Sequence, residues 1–336
     1  MKVTSESPLV GTVFAAAHAT LGQSPLYRSF RANGVSRAEF MRLVESRAED
    51  LQAAGVPGPD LPFMKRFPRN PRAYAMHILT DLHHRGILPA ASCDVLRLER
   101  TERMMAGYAH GPFRTFIYPE EGLLLAAIAD IASPRNAIFL GAYYGYWAHW
   151  AIPAIVAAGG RVTLVDPNET CCDIARANLR ANGFAADVDV VVATGESYLA
   201  AGAETFDLVV LDAENPRDHP DPEQRGKRVY HPLARACLSR LAPAALLVCH
   251  NILFTDHSGD AAFDGVIARN REELAPFAEL ASSHFAPFVE YRTTEGVGIG
   301  RFGGAPVTSH GPTPDRQWPI PDRRWPIPAD IDVDAT

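Results

Sequence analysis

The sequence has few cysteines and no long run of basic or of apolar residues. Its five cysteines form no Cys-x-x-Cys pair, and an odd number of thiols without framework spacing predicts reduced cysteines in a cytoplasmic protein. No segment reaches the ~20 apolar residues that a membrane-spanning helix requires. The net charge is −7 at pH 7, so a nucleic-acid backbone is attracted only weakly. These absences favour a small-molecule substrate, with neither a nucleic acid nor a membrane as partner.

The composition suits about two domains. Of the 336 residues, 47% are hydrophobic and 21% are charged, which is enough to bury one large core and a smaller one. Residues 1–112 are predicted to be helical, residues 113–302 to alternate strands and helices, and residues 303–336 to form a proline-rich tail. The helical part is interpreted as a lid or a dimerisation element, or as a structural extension. We expect a homodimer.

The helical part carries a clear start signal. Ser36 and Glu39 have the spacing of a capping box, and the apolar pattern that follows ends at Gly55. This predicts an amphipathic helix with one buried face. Three further helices are predicted: one from Pro71 that ends before Gly86, one at residues 90–105, and one at residues 123–131 after a turn at residues 116–122.

Short apolar runs then alternate with helical stretches, which predicts a parallel sheet with helices on both faces. The first strand, residues 137–140, ends in a turn with the spacing Gly141-x-x-x-Gly145, which leads into a helix. The second strand ends at Asp166, about 20 residues later, a spacing at which a carboxylate can bind both hydroxyls of a ribose. Because such sheets bind ligands at the carboxyl ends of their strands, the sequence predicts a nucleotide-like ligand there.

Five segments of the α/β part carry a family resemblance. They are Phe-Leu-Gly-Ala-Tyr-Tyr-Gly-Tyr-Trp at residues 139–147, Val-Thr-Leu-Val-Asp at 162–166, Phe-Asp-Leu-Val-Val-Leu-Asp at 206–212, and the runs at 246–254 and 295–302. Together they resemble the S-adenosylmethionine-dependent O-methyltransferases of the catechol and caffeoyl-coenzyme A type. The resemblance covers about residues 113–302. It implies a class I, Rossmann-like α/β fold whose sheet is mostly parallel, with an antiparallel last strand.

The resemblance also implies S-adenosylmethionine as the cofactor and assigns roles by position. It places Gly141, Tyr143 and Gly145 around the methionine half of the cofactor, and Asp166 on its ribose. Trp147 follows the turn, where an aromatic ring can hold the sulfonium by a cation–π contact or simply pack in the helix. The positions that the family uses for the adenine are Gly195, Glu196 and Ser197.

The chain departs from the family at three points. Phe139 replaces an acidic residue and so removes one polar partner of the cofactor's amino-acid end. His250 and Asn251 replace an Asp-Asn pair that holds a divalent ion together with the aspartate at Asp212. Exchanging a carboxylate for an imidazole disfavours Mg²⁺, so a metal at these three residues is uncertain and its absence is favoured. Asn215 stands where the family has its general-base lysine.

These features predict a methyltransferase that acts on an oxygen, nitrogen or carbon nucleophile of a small molecule, in secondary metabolism. His250 can accept a proton, or it can position the nucleophile together with Asp212, Asn251 and Asn215. One alternative is an enzyme that closes a ring on the cofactor's aminobutyrate chain and releases methylthioadenosine without methyl transfer. Another is a non-catalytic cofactor-binding protein. A dehydrogenase is disfavoured because the turn lacks the spacing Gly-x-Gly-x-x-Gly.

The tail contains a tandem repeat. Residues 314–320 read Pro-Asp-Arg-Gln-Trp-Pro-Ile, and residues 321–327 repeat them with a single exchange. The composition predicts a disordered or polyproline segment. The matching positions of Trp318 and Trp325 also allow the tail to dock in a groove of the same chain or of a partner.

Overall fold

The computed structural model describes residues 11–253 and 261–303. The repeat with Trp318 and Trp325 lies outside the described residues. The helices are α1 Val13–Gly22, α2 Pro25–Arg31, α3 Arg37–Ser46, α4 Ala48–Ala53, α5 Leu61–Met64, α6 Pro71–His84, α7 Val95–Met105, α8 Pro119–Ala132, α9 Tyr146–Ala157, α10 Glu169–Ala181, α11 Gly195–Ala201, α12 Tyr230–Cys237 and α13 Ala261–His284. The strands are β1 Gly11–Thr12, β2 Arg114–Thr115, β3 Asn136–Leu140, β4 Arg161–Asp166, β5 Val188–Val192, β6 Phe206–Leu211, β7 Leu241–His250, β8 Phe285–Tyr291 and β9 Val297–Phe302.

Seven strands form the main sheet, in the order β5-β4-β3-β6-β7-β9-β8. Strands β3 to β7 run parallel, whereas β9 is antiparallel to both β7 and β8. The chain order reverses at β3, which pairs with β4 on one side and β6 on the other, and such a switch point leaves a crevice at the carboxyl ends of the strands. The predicted α/β fold with an antiparallel last strand is confirmed.

Local sequence signals account for many element boundaries. Ser36 and Glu39 form the predicted capping box, with Ser36 N–H donating to Glu39 Oε2 at 2.8 Å. The sequence also predicts a helix from Glu169 to Ala181, with Asn182-Gly183 as its stop, and α10 has these bounds. The Asn168 side chain accepts the Cys171 N–H at 3.2 Å and so caps the first turn of α10. A polar cap followed by an apolar stripe is therefore sufficient to define this helix.

The helices cover the sheet in three apolar clusters. Helices α6 to α10 pack on one face of the sheet, and α11 to α13 pack on the other. Helices α1 to α5 form a third cluster with Tyr118, Leu253, Phe263 and Ile267. Since Leu253 lies three residues beyond β7, this cluster lies beside the carboxyl end of that strand. None of the described helices is both long and apolar enough to cross a membrane.

The structure corrects two predicted elements and adds one strand. The turn predicted at residues 116–122 is wrong from Pro119 onward, because α8 begins there and places two glutamates in its first turn. Helix α7 begins at Val95 rather than near residue 90, since Asp94 caps it by accepting the Arg97 N–H at 3.1 Å. Strand β8, at the end of the sheet, was not predicted from the sequence.

Candidate functional site

The turn between β3 and α9 is held tightly at the switch point of the sheet. Gly141 has a φ of +75°, and a Cβ there would lie 2.4 Å from the Asp212 carbonyl oxygen. The N–H groups of Gly141 and Ala142 both donate to the Val165 carbonyl at 3.1 Å. Gly145 caps α9 with a φ of +81°. The turn therefore tolerates no side chain at Gly141 and lies between the ends of β4 and β6.

Asp166 lies directly beside this turn. Its Oδ2 accepts the Tyr143 N–H at 2.7 Å and its Oδ1 accepts the Asn168 N–H at 2.9 Å. The residue is 8% exposed, and burial raises the pKa of its carboxyl while the two hydrogen bonds lower it. Each oxygen has one N–H partner, so each keeps a lone pair that can accept a hydroxyl group.

The other predicted residues fall in two groups. Gly195, Glu196 and Ser197 form the first turn of α11. Glu196 Oε1 accepts a hydrogen bond from Gln224 Nε2 at 2.9 Å, and Gln224 Oε1 accepts one from Asn215 Nδ2 at 3.2 Å. Asn215 is thus linked through Gln224 to the predicted adenine region, and Asp212, His250 and Asn251 form the second group.

His250 ends β7 and is held by two carboxylates. Its Nδ1 lies 3.3 Å from Asp212 Oδ1, and its Nε2 lies 3.0 Å from Glu121 Oε2. The residue is 2% exposed. Burial alone lowers the pKa of His250, but Asp212 and Glu121 outweigh this effect and raise the pKa to about 10. Both ring nitrogens therefore carry protons at neutral pH, and the geometry favours a positioning role over that of a proton acceptor.

Glu121 was not predicted, yet it connects the site to the far end of the chain. Its Oε1 accepts the Thr293 hydroxyl and the Glu295 N–H, both at 2.8 Å. Its Oε2 accepts the Tyr118 N–H at 2.9 Å in addition to the His250 ring. This buried carboxylate has four polar partners, which fix α8 to β7 and to the turn between β8 and β9.

Glu120, the neighbour of Glu121, is also buried. Its Oε1 accepts the Thr294 N–H at 3.0 Å and the Thr294 hydroxyl. Burial and the adjacent Glu121 raise the pKa of Glu120 to about 7. Glu295 lies in the same region, where burial is the main cause that raises its pKa to about 8. The sequence signal for this helix is Pro119 at its first position with Glu121 two residues later, a pattern typical of a helix start.

Lys227 is another residue that the sequence analysis missed. It is buried, and its Nζ donates to the carbonyl of Asn251. Asn251 has a φ of +56°, in the left-handed region. Burial lowers the pKa of Lys227, and nearby carboxylates, Glu214 first and then Glu295, oppose that shift. A lysine thus reaches the carboxyl end of β7 from the loop after β6, although Asn215 replaces the family's own lysine.

Trp147 packs within this site. Its Nε1 donates to the Glu121 carbonyl at 3.2 Å, and its ring centroid lies 4.9 Å from that of His250. A sulfonium contact for this ring stays a prediction. Among residues 11–253 and 261–303, no group of three or more His, Cys, Asp or Glu side chains has the arrangement of a metal site.

The comparisons with known proteins agree with this architecture. Residues 138–252, about a third of the chain, match the family model described as a methyltransferase domain. This segment runs from β3 to just beyond β7 and contains the glycine turn, Asp166 and His250. The match gives this segment the description of a methyltransferase domain, and the sheet around it has the mostly parallel α/β fold with an antiparallel β9 that the family resemblance predicts. None of the curated proteins matches the chain.

Solved structures resemble the chain more distantly. An O-methyltransferase from Bacillus cereus, in complex with S-adenosylhomocysteine, is 19% identical, with 61% of this chain and 90% of that chain covered and a TM-score of 0.43. The O-methyltransferase TomG from Streptomyces achromogenes, involved in tomaymycin synthesis and solved with S-adenosylmethionine, is 20% identical, with 62% and 90% covered and a TM-score of 0.42. The Podospora anserina methyltransferase PaMTH1, bound to S-adenosylhomocysteine, is 15% identical, with 62% and 87% covered and a TM-score of 0.47. At these values none of them supplies a role for a residue of this chain.

Proposed function

We propose that the chain is an S-adenosylmethionine-dependent methyltransferase that acts on an oxygen, nitrogen or carbon nucleophile of a small molecule. The observation that carries this proposal is the pairing of the glycine turn with Asp166, whose carboxylate accepts the Tyr143 N–H at 2.7 Å. These residues fit the cofactor, because a buried acceptor pair suits two ribose hydroxyls and a turn without a side chain at Gly141 lets the backbone approach a ligand closely.

The bound cofactor supplies a methyl group on a sulfonium that already carries its own leaving group. The chain therefore has to position the nucleophile and exclude water. His250 suits a positioning role through Asp212, because both N–H groups of its imidazolium are engaged, by Asp212 Oδ1 at 3.3 Å and by Glu121 Oε2 at 3.0 Å. Alignment of this kind supplies a large share of the rate when two reactants are held in one site.

Three further features of the function stay predictions from the sequence. A role in secondary metabolism, a homodimeric assembly and a cytoplasmic location are each consistent with the composition, and no contact in the structure bears on them. The same holds for the adenine contacts at Gly195, Glu196 and Ser197. Amide hydrogen exchange with and without bound cofactor tests these adenine contacts directly.

Product analysis separates methyl transfer from its alternatives. The purified protein is incubated with S-adenosylmethionine, with and without a panel of phenols, amines and activated carbon acids, and the products are identified by mass spectrometry. S-adenosylhomocysteine that forms only with a nucleophile supports the proposal. Methylthioadenosine formed without any nucleophile contradicts it and supports ring closure on the cofactor. Cofactor binding without any product contradicts it in favour of a binding protein.

A further inference from the structure

Asp212 has one carboxylate oxygen without a partner, at the carboxyl end of β6. Its side chain is 36% exposed, and within residues 11–253 and 261–303 the only group that bonds this side chain is the His250 ring, on Oδ1. The Asp212 N–H donates to the Leu140 carbonyl at 3.1 Å, and the Asp212 carbonyl would lie 2.4 Å from a Cβ on Gly141. Asp212 Oδ2 is therefore available to a donor beside the cofactor turn.

Two buried side chains stand behind this carboxylate. His250 Nδ1 lies 3.3 Å from Asp212 Oδ1, and His250 Nε2 lies 3.0 Å from Glu121 Oε2. The His250 side chain is 3% exposed and that of Glu121 is 0% exposed. A carboxylate oxygen accepts and does not donate, so both bonds form only if each ring nitrogen carries a proton. Glu121 thus reaches Asp212 through a single imidazolium.

This hydrogen-bonded chain is anchored at its buried end. Besides the His250 ring, Glu121 accepts three hydrogen bonds, two of them from the turn between β8 and β9. The His250 carbonyl accepts the Tyr230 Oη–H at 2.7 Å, and the Trp147 ring packs on the imidazole with the centroids 4.9 Å apart. Only the Asp212 end of the chain is open to a ligand.

The buried lysine of the site does not occupy this open end. Lys227 Nζ donates to the Asn251 carbonyl, and among the described side chains the His250 ring is the only cationic group that pairs with Asp212. An ionised carboxylate accepts hydrogen bonds and donates none. The group that completes Asp212 Oδ2 is therefore an N–H or O–H of a ligand.

We propose that Glu121 is a positioning residue: through His250 it fixes the Asp212 carboxylate, whose Oδ2 accepts the O–H or N–H of the nucleophile and so orients its lone pair. This inference rests on the proposed function and narrows the acceptor to a hydroxyl compound or an amine, because a carbon nucleophile offers no such donor. A misplacement of about 1 Å costs on the order of 100-fold in rate. Loss of the Glu121 bond is thus expected to slow turnover although Glu121 touches no ligand.

Glu121→Gln tests this role, and Glu120→Gln is its matched control. Glutamine keeps one oxygen for the turn between β8 and β9, but its amide NH₂ cannot accept the His250 Nε2–H. Glu120 is equally buried in the same helical turn and bonds Thr294 instead of His250. With a phenol or an amine that the wild type methylates, we expect kcat to fall roughly 10- to 100-fold in Glu121→Gln and to stay at the wild-type value in Glu120→Gln. The KM for S-adenosylmethionine stays unchanged in both.

Nuclear magnetic resonance of the wild type adds a test that needs no variant. In protein with isotope-labelled histidine, His250 is assigned through its contact with Trp147. We expect both of its ring N–H protons to be visible, and the Nδ1–H resonance to shift when the phenol or amine binds, because the nucleophile and the imidazolium share the Asp212 carboxylate. A ring with a single proton, or an Nδ1–H that does not respond to the nucleophile, overturns the inference.

The kinetic outcomes separate this inference from the proposed function. Equal losses of kcat in Glu121→Gln and Glu120→Gln, or an unchanged kcat in Glu121→Gln, overturn the positioning role and leave the proposed function intact. Methyl transfer to carbon acids alone has the same meaning. A wild type that methylates no member of the panel overturns both.

Discussion

The buried charges around His250 predict a fall in stability as the pH rises from 7 to 9. Folded His250 keeps its proton up to a pKa of about 10, whereas the free side chain loses it near 6.5. Glu295 has a raised pKa as well, about 8 against 4.5. Both groups bind more protons in the folded state than in the unfolded state. The free energy of unfolding therefore decreases with rising pH over this window.

The expected loss in the free energy of unfolding follows from the pKa values of His250 and Glu295. Each pH unit over which one such group stays protonated only in the folded state is worth about 1.4 kcal/mol. Between pH 7 and 9, Glu295 is protonated only in the folded state over about one pH unit, and His250 over about two. Lys227, whose pKa is lowered by burial, acts in the opposite direction, and the charges influence one another. We expect a net loss of roughly 2–4 kcal/mol, a large part of a typical folding free energy.

Urea unfolding of the ligand-free protein at pH 7, 8 and 9 measures this loss. His250→Gln is expected to be less stable at pH 7 and to lose less between pH 7 and 9, because the His250 proton no longer contributes. Glu295, whose pKa the His250 charge lowers, still contributes in this variant. His284→Gln, at an exposed position, is the control and keeps the wild-type decline. A wild-type stability that is constant or rises over this range refutes the reasoning about the His250 cluster.

Three more predictions concern the cofactor side and the metal. Asp166→Asn is expected to weaken S-adenosylhomocysteine roughly 10- to 100-fold by calorimetry with little change in melting temperature, and equal affinity contradicts the ribose assignment. Gly141→Ala is expected to cost roughly 1–3 kcal/mol of stability, because φ is +75° and the Asp212 carbonyl would lie 2.4 Å from the new Cβ. Gly159→Ala is the control: its φ is +78° but no atom lies within 4 Å of the new Cβ, so it measures the cost of the backbone conformation without the clash. A chelator is expected to leave turnover unchanged, because both nitrogens of His250 are engaged by carboxylates, and a loss restored by a divalent ion contradicts this.

Local patterns predict the central sheet well. Strand β6 is the apolar run that precedes Asp212, and helix α10 ends where the Asn182-Gly183 stop places its end. Asp166 and the glycine turn meet as predicted, because both follow strands that are neighbours in a parallel sheet. In these segments the residues that indicate an element lie within a few positions of it, so local sequence patterns are enough to predict it.

The buried half of the site depends on contacts that are distant in sequence. Glu120 and Glu121 resemble an exposed polar turn, and only their bonds to residues more than 170 positions away, from Thr293 to Glu295, show that they are internal. Lys227 stands in a charged loop that reads as solvated, and its burial follows from packing at the end of β7. Pair contacts of this kind leave no periodic trace in a single sequence.

Calorimetric titration of the wild-type protein with S-adenosylhomocysteine tests whether the glycine turn and Asp166 bind the cofactor. We expect saturable binding of one nucleoside per chain, strongly reduced in Asp166→Asn, because the ribose hydroxyls lose the carboxylate beside the glycine turn. Absence of binding, or binding that Asp166→Asn leaves unchanged, contradicts the claim that the turn from Gly141 to Gly145 and Asp166 form the cofactor site.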